Sequence, residues 1–465
     1  MIRQLSLSNP LWLVLGIAFL LRILLPLAVM TMHRDASVFS TPDTMTYVAP
    51  AQSLLTSGGL NKDGHPEIWH PPGYPLFLMP GLLAGHLLTV TISLQIIIST
   101  ATAFFLYLIS KRLFSRAVAY CCASLYAIEP LSVLYCSKIL SETLFTFLVV
   151  LFLHQTVCYM QQGKLLTLLI GTVSLAAATY VRPVSYYLPI VLVPVIFYIS
   201  SRMQRLSTAV THTTAFFLLF FALVGAWQVR NYRLSGYGGF SATADWNLYF
   251  NQGASIIAKK TGRSYYTVEN DLGYLSPAEY VRSHPNQQSW SDAEKYAYMH
   301  QEGLQLIRHN LLTYTLIHLK GMVMVLGEPE GLEYSKLFKK YPSSGGLLGG
   351  VVDAGILPAL NAVRTQYPFS FYTTMFLAAL LLFYLVLAVS GIALAWSHAQ
   401  YAVVLLVTVA AYFAVLSGGP LSATGRMRHP IMPIVCLFTG YALAVGLTRV
   451  FTRKFAAIEP LPATD

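Results

Sequence analysis

Along this chain, apolar stretches close to the ~20 residues that a helix needs to cross a hydrocarbon core alternate with brief polar intervals, a rhythm that predicts membrane-spanning helices. Ten stretches qualify, at residues 11–30, 93–109, 117–134, 140–158, 165–180, 184–200, 208–227, 371–394, 401–416 and 431–447. Arg22 interrupts the first, which lacks a small-residue cleavage site and so reads as a retained span and not a signal peptide. Two more stretches, 311–326 and 347–360, would raise the count to twelve. The second is rich in glycine and holds Asp353 and Pro358, so ten is the first choice.

Two long connections interrupt the rhythm. In the first, Thr41 suits an N-cap, Pro42 the first helical position, and Ser57-Gly58-Gly59 a stop, so a short helix should begin at Asp43. Asp43 and Tyr47 would share one face of it. The apolar stretch 75–90 is laid along the interface, because a span there would put Lys111, Arg112 and Arg116 on the outer side. The second connection far exceeds the ~12–15 residues usual for structureless loops, so it must be a small domain or lid. Residues 291–326 within it have helical spacing and rising apolarity, which predicts one surface-to-interface helix. The chain therefore divides into an N-terminal bundle (1–227) with a first outer loop (31–92), an extracytoplasmic loop or lid (228–369), and closing helices with a short cytoplasmic tail (370–465).

Composition narrows the class. A chain of 465 residues that is 55% hydrophobic and 11% charged is an all-α polytopic membrane protein and not a soluble multidomain globule. The net charge of +11 does not imply nucleic acid, because the basic residues are scattered between apolar runs. Arg3, Lys111, Arg112, Arg116, Lys164, Arg202, Arg205, Arg449, Arg453 and Lys454 have no acidic residue among them and mark a cytoplasmic side, with both termini inside. The five cysteines lie in or beside apolar spans and show neither a disulfide framework nor zinc spacing.

Function is then expected to face outward, where Asp43, His65, His70, Glu129, Lys138, Glu142, Arg182, Arg230, Arg426, Arg428 and His429 collect at span ends. Each has a plainer role available. On local sequence, Asp43 as a general base and Asp43 as a helix cap stand level; Arg22, Arg182 and Arg230 could snorkel to headgroups, a phosphate contact being the sharper alternative for Arg22; Lys138 and Glu142, four apart, could neutralise one another. A cationic pocket beside a carboxylate nevertheless suits transfer of a group from a lipid phosphate: cations stabilise the departing phosphate and the carboxylate takes the acceptor's proton. No phosphate-cradling G-x-x-x-x-G-K-[ST] loop, H-E-x-x-H or G-x-S-x-G motif is present.

Asp43-x-x-x-Tyr47, the W-H-P-P-G-Y-P run from Trp69 to Pro75, Ser141-Glu142, Arg182-Pro183, Trp227-x-x-Arg230-Asn231-Tyr232 and Arg426-x-Arg428-x-Pro430 together resemble the bacterial GT-C glycosyltransferases. The nearer likeness is to the dolichyl-phosphate-mannose protein mannosyltransferase and lipid A aminoarabinose transferase group. That resemblance implies a GT-C-like helix bundle in the bacterial inner membrane, with an extracytoplasmic active site, a polyprenyl-phosphate sugar donor, an extracytoplasmic glycan, lipid or protein acceptor, and inversion. It places the catalytic base at Asp43 and the best donor-phosphate ligands at His70 and Arg230, with Arg182, Arg426 and Arg428 behind them. Tyr47, Tyr74 and Glu142 would support the site or bind sugar hydroxyls. Thr44 stands where many relatives have a second acidic residue, which weakens a paired-carboxylate or metal role; no cofactor is expected, and a divalent metal is not indicated. Ala226 replaces a proline common in relatives. The acceptor is expected against the second loop, where Trp246, Tyr249, Tyr265, Tyr266, Tyr274 and Trp290 either stack on sugars or form the loop's own core. The alternatives are a secondary transporter or flippase, which would be expected to show repeated halves, and a polymerase or ligase moving a whole lipid-linked oligosaccharide.

Overall fold

A computed structural model describes residues 10–341, 356–419 and 424–456. Arg3, Asp353, most of the stretch 347–360 and the end of the tail lie outside the described residues. The protein is an all-α polytopic membrane protein, and each of the ten predicted spans is helical through most of its length. Pro10–His33, Leu87–Leu113, Glu142–Gln162, Leu206–Ser235 and Pro368–Ser417 are each long and apolar enough to cross a bilayer. The last is 50 residues long and breaks at Ala399 (φ −147°, ψ 44°), which gives the two spans read from the sequence. Leu165–Val181, Leu188–Met203 and Met432–Ala456 complete the bundle. Leucines of the first helix such as Leu13 and Leu20 face outward, as lipid contact requires, whereas Glu142–Gln162 is enclosed on most sides.

Four boundaries differ from expectation, each for a local reason. The helix predicted at 93–109 starts at Leu87, because Gly85 turns the chain (φ 68°) directly after the short helix Gly73–Leu83. The stretch 117–134 is split into Arg116–Ala127 and Pro130–Tyr135, where Glu129 accepts from the amides of Leu131 and Ser132 and restarts the helix. Residues 291–326 are two helices, Asp292–His309 and Leu311–Gly327, bent by 101° because Asn310 leaves helical geometry. Leu206–Ser235 runs eight residues past Trp227, so Arg230 sits on a helix and not on the loop.

Arg22 neither snorkels nor meets phosphate. It is fully buried and donates to Ser99 Oγ (2.7 Å) and to the carbonyls of Ala18, Ala127 and Tyr126, closing the C-terminus of Arg116–Ala127. Helices approach closely where glycine permits. A Cβ on Gly391 would lie 2.0 Å from the Phe438 carbonyl, which is why Pro368–Ser417 can lie against Met432–Ala456.

Candidate functional site

The two ends of the bundle differ in chemistry. At one end the short basic turns meet: Arg112 and Gln161 exchange hydrogen bonds of 2.8 and 2.9 Å, and Gln204 donates to the Gly163 carbonyl (2.9 Å). At the other end, helix starts and loop segments bring acidic and basic side chains together.

Thr41, Pro42 and Gly58 (φ 72°) bound the helix Pro42–Ser57 as expected. Thr44 Oγ1 accepts from the Thr41 amide (2.9 Å) and donates to the Ile139 carbonyl (3.1 Å), so this hydroxyl serves the helix end. Asp43 is thereby free of capping, and its Oδ2 meets Arg426 Nη1 at 2.7 Å. Arg426 turns its Nε to Glu142, the first residue of Glu142–Gln162, and Arg182 Nη1 bonds the same Glu142 oxygen. Asp43 is 48% exposed and Glu142 only 2%, so the first carboxylate faces the open side and the second is locked between two guanidiniums. Lys138 does not neutralise Glu142; its Nζ donates to the Val38 carbonyl at 3.0 Å.

The W-H-P-P-G-Y-P run closes the opposite wall. A Cβ at Gly73 would sit 2.6 Å from the Tyr180 carbonyl, so only glycine lets this run lie against the residues preceding Arg182. His70 stacks on Tyr47 (centroids 4.3 Å) and its Nε2 lies 2.9 Å from Thr46 Oγ1. Burial lowers its pKa to about 3, an effect that Asp43 opposes and Lys62, Arg182 and Arg426 reinforce. The imidazole expected to meet the donor phosphate as a ligand at position 70 is therefore held in its neutral form. Tyr47 OH is 3.2 Å from Ser141 Oγ, and Tyr74 lies edge-on to Tyr47 while donating to Gln95 (2.9 Å).

Two expected phosphate ligands are not brought into this cluster. Arg230 donates to the carbonyls of Glu67 (2.5 Å) and Leu60 (3.0 Å) and lies over Trp227. Arg428 is buried and donates to the carbonyls of Val325, Leu326 and Glu328, satisfying the end of Leu311–Gly327. Of the loop aromatics, Trp246, Tyr249 and Tyr265 belong to small cores of the loop itself, and Trp290 lies edge-on to Tyr298.

Sequence reading missed three carboxylates. Glu67 Oε1 accepts from the amides of Trp69 and His70, and so holds the wall that Arg230 grips from behind. Glu328 accepts from the Gly425 amide (2.9 Å) and Glu330 from the Arg426 amide (2.5 Å) and Tyr135 OH (3.2 Å). Glu330 occupies the left-handed region (φ 60°), a strain of ~1–3 kcal/mol that these bonds must offset. The visible signal was an acidic residue on each side of Pro329 at the end of an apolar run. Among the described residues, no three His, Cys, Asp or Glu side chains gather to hold a metal ion.

Burial, with the charges of Glu328 and Glu333, raises the Glu330 pKa from 4.5 to about 8. The folded protein then binds more protons than the unfolded chain between those values, and stability falls as pH rises through that window. Glu330→Gln is expected to flatten this fall. Thermal unfolding in detergent at about pH 5 and about pH 9 checks it; parallel pH dependence in the two proteins would remove the assignment.

The fold and this one-ended cluster define the class as an all-α polytopic membrane protein whose charged chemistry gathers at one end of the helix bundle. Residues 69–227 match the model of the dolichyl-phosphate-mannose-protein mannosyltransferase family, a segment that includes His70, Glu142 and Arg182 but neither Asp43 nor Arg426. The fold is similar to the Archaeoglobus fulgidus oligosaccharyltransferase AglB solved with an inhibitory peptide and a dolichol-phosphate: TM-score 0.53, 12% identity, 99% of this chain and 53% of that chain covered. The apo form of the Archaeoglobus fulgidus oligosaccharyltransferase gives 0.53, 11%, 99% and 54%. The form tethered to an acceptor peptide gives 0.51, 12%, 96% and 51%. The chain thus spans about half the length of these solved structures. No curated protein matches it.

Proposed function

We propose that the protein is an integral membrane glycosyltransferase that moves a sugar from a polyprenyl-phosphate-linked donor to a hydroxyl of an extracytoplasmic acceptor, with inversion. The family match and the fold support the glycosyltransferase class. The observation that carries the finer reading is the half-exposed Asp43 carboxylate held 2.7 Å from Arg426, with Arg182 joined to the same guanidinium through Glu142. Asp43 takes the acceptor's O–H proton as that oxygen attacks the anomeric carbon. The bond from that carbon to the phosphate oxygen breaks, and its electron pair leaves with the lipid phosphate. Arg426 and Arg182 counter the charge that develops there.

Neutral His70, with Tyr47 and Tyr74, shapes the wall beside the sugar, and Glu142 orients both arginines. Arg230 and Arg428 act as positioning residues through the backbone they hold. An opening of ≈ 430 Å³ beside Pro183, lined by Tyr187, Gln228, Asp245, His300 and Gln301, offers an aromatic face and polar groups to an acceptor. The basic turns at the far end support an active site on the outer face of a bacterial plasma membrane and cytoplasmic termini.

The test uses the full chain in lipid nanodiscs with a series of polyprenyl-phosphate sugars and a hydroxyl acceptor. NMR of the product is expected to show the anomeric configuration inverted. Retention would exclude a single displacement with Asp43 as base, and passage of intact donor across the bilayer without product would favour a transporter.

A further inference from the structure

A second chamber lies between the helices Ala254–Thr261 and Leu311–Gly327, and none of its lining residues belongs to the carboxylate–arginine cluster. Its volume of ≈ 720 Å³ falls within the ~300–1,000 Å³ of small-molecule sites. One wall is apolar, made by Leu316, Ile317 and Met324, and the rim carries Lys259, Lys260, Arg263 and Lys320. Arg263 pairs with Asp271, whereas Lys259, Lys260 and Lys320 form no ion pair among the described residues. Within the chamber, Ser255 is 4% exposed and its hydroxyl has no hydrogen-bond partner among the described residues, an arrangement that costs stability unless a ligand supplies one.

The apolar wall continues onto a lipid-like surface. Leu312, Leu319 and Val323 on the same helix are each more than half exposed, and the helix meets its predecessor at 101°. That geometry lays an apolar face in the membrane boundary with cations beside it. Unpaired lysines serve as point charges for phosphate, and the Ser255 hydroxyl is a donor to a phosphate oxygen. A free anion would leave the apolar wall unused, and a neutral lipid would leave the lysines and Ser255 unused.

We propose that this groove binds a lipid with a phosphate head, the head among Lys259, Lys260 and Lys320 and the chain along Leu316, Ile317 and Met324. The site is separate from the transfer site and does not require the donor assigned above to be right.

The test labels the full-length protein in neutral detergent with a photoreactive diazirine analogue of farnesyl phosphate, and maps adducts by mass spectrometry. Adducts are expected within residues 255–265 and 313–324. Unlabelled farnesyl phosphate should displace the probe at least about tenfold better than farnesol or inorganic phosphate, since farnesol lacks the charge that the lysines attract and inorganic phosphate lacks the chain that the apolar wall takes. The triple variant Lys259→Gln, Lys260→Gln, Lys320→Gln should lose label there by a similar factor, and Arg426→Gln should not. The competition arms need no variant, so a misfolded triple mutant leaves the test decisive. Equal competition by farnesol would show an apolar crevice alone, equal competition by inorganic phosphate an ion site alone, and adducts confined to residues 41–47 and 424–428 the transfer site alone; each overturns the proposal. Failure of all transfer assays with intact labelling of the groove would overturn the enzymatic reading and leave this one standing.

Discussion

Asp43→Asn is expected to lower sugar transfer by about 10²–10⁴-fold, the usual contribution of a positioned general base, while membrane insertion and the unfolding midpoint stay near wild type. The two effects separate because of where the residue sits. The carboxylate is half exposed, so its ion pair with Arg426 contributes only ~0–1 kcal/mol to stability. The asparagine oxygen can still accept from the Arg426 guanidinium, and the helix start depends on Thr41, Pro42 and Thr44. Asn cannot take a proton from the acceptor hydroxyl. Single-turnover rates with bound donor, together with thermal unfolding, check the result. A loss below about tenfold would make Asp43 a partner of Arg426 and nothing more.

The parts of the molecule legible in the sequence are those set by local pattern. The spans, the break near residue 400 and the limits of Pro42–Ser57 follow from hydrophobic run length, polar interruption and the Thr-Pro start with its glycine stop. The pairing inside the site is not local. Arg426 reaches Glu142 across 284 positions and Asp43 across 383, and nothing near any of the three names the others. For the same reason Arg230 and Arg428 looked equivalent to Arg182 and Arg426. All four are arginines at helix ends, and only tertiary contacts assign the first pair to carbonyls and the second to carboxylates. His70 carries the same lesson about charge: sequence gives an imidazole beside prolines, while burial against Tyr47 decides that it is neutral.

The second large effect concerns Glu142, and here stability and activity fall together. Glu142→Gln leaves the Arg182 and Arg426 guanidiniums facing one another, and Arg426→Gln leaves a buried carboxylate with one partner in place of two. Breaking a buried pair in this way costs about 3–5 kcal/mol. The double variant Glu142→Gln, Arg426→Gln removes both charges at once, so its destabilisation should be smaller than the sum of the singles by about 0.5–3 kcal/mol. Unfolding midpoints of the four proteins in one detergent measure that coupling. Transfer should not recover with it: without Arg426 the departing phosphate loses a donor worth about 10²–10³ in rate, whether or not Glu142 is charged. Arg426→Lys tests the geometry behind this. Lysine keeps the charge but cannot serve Asp43 and Glu142 from two edges of one planar group, so rate should fall even where stability holds. Strictly additive energies, or transfer restored in the double variant, would mean that Glu142 and Arg426 do not act as one unit.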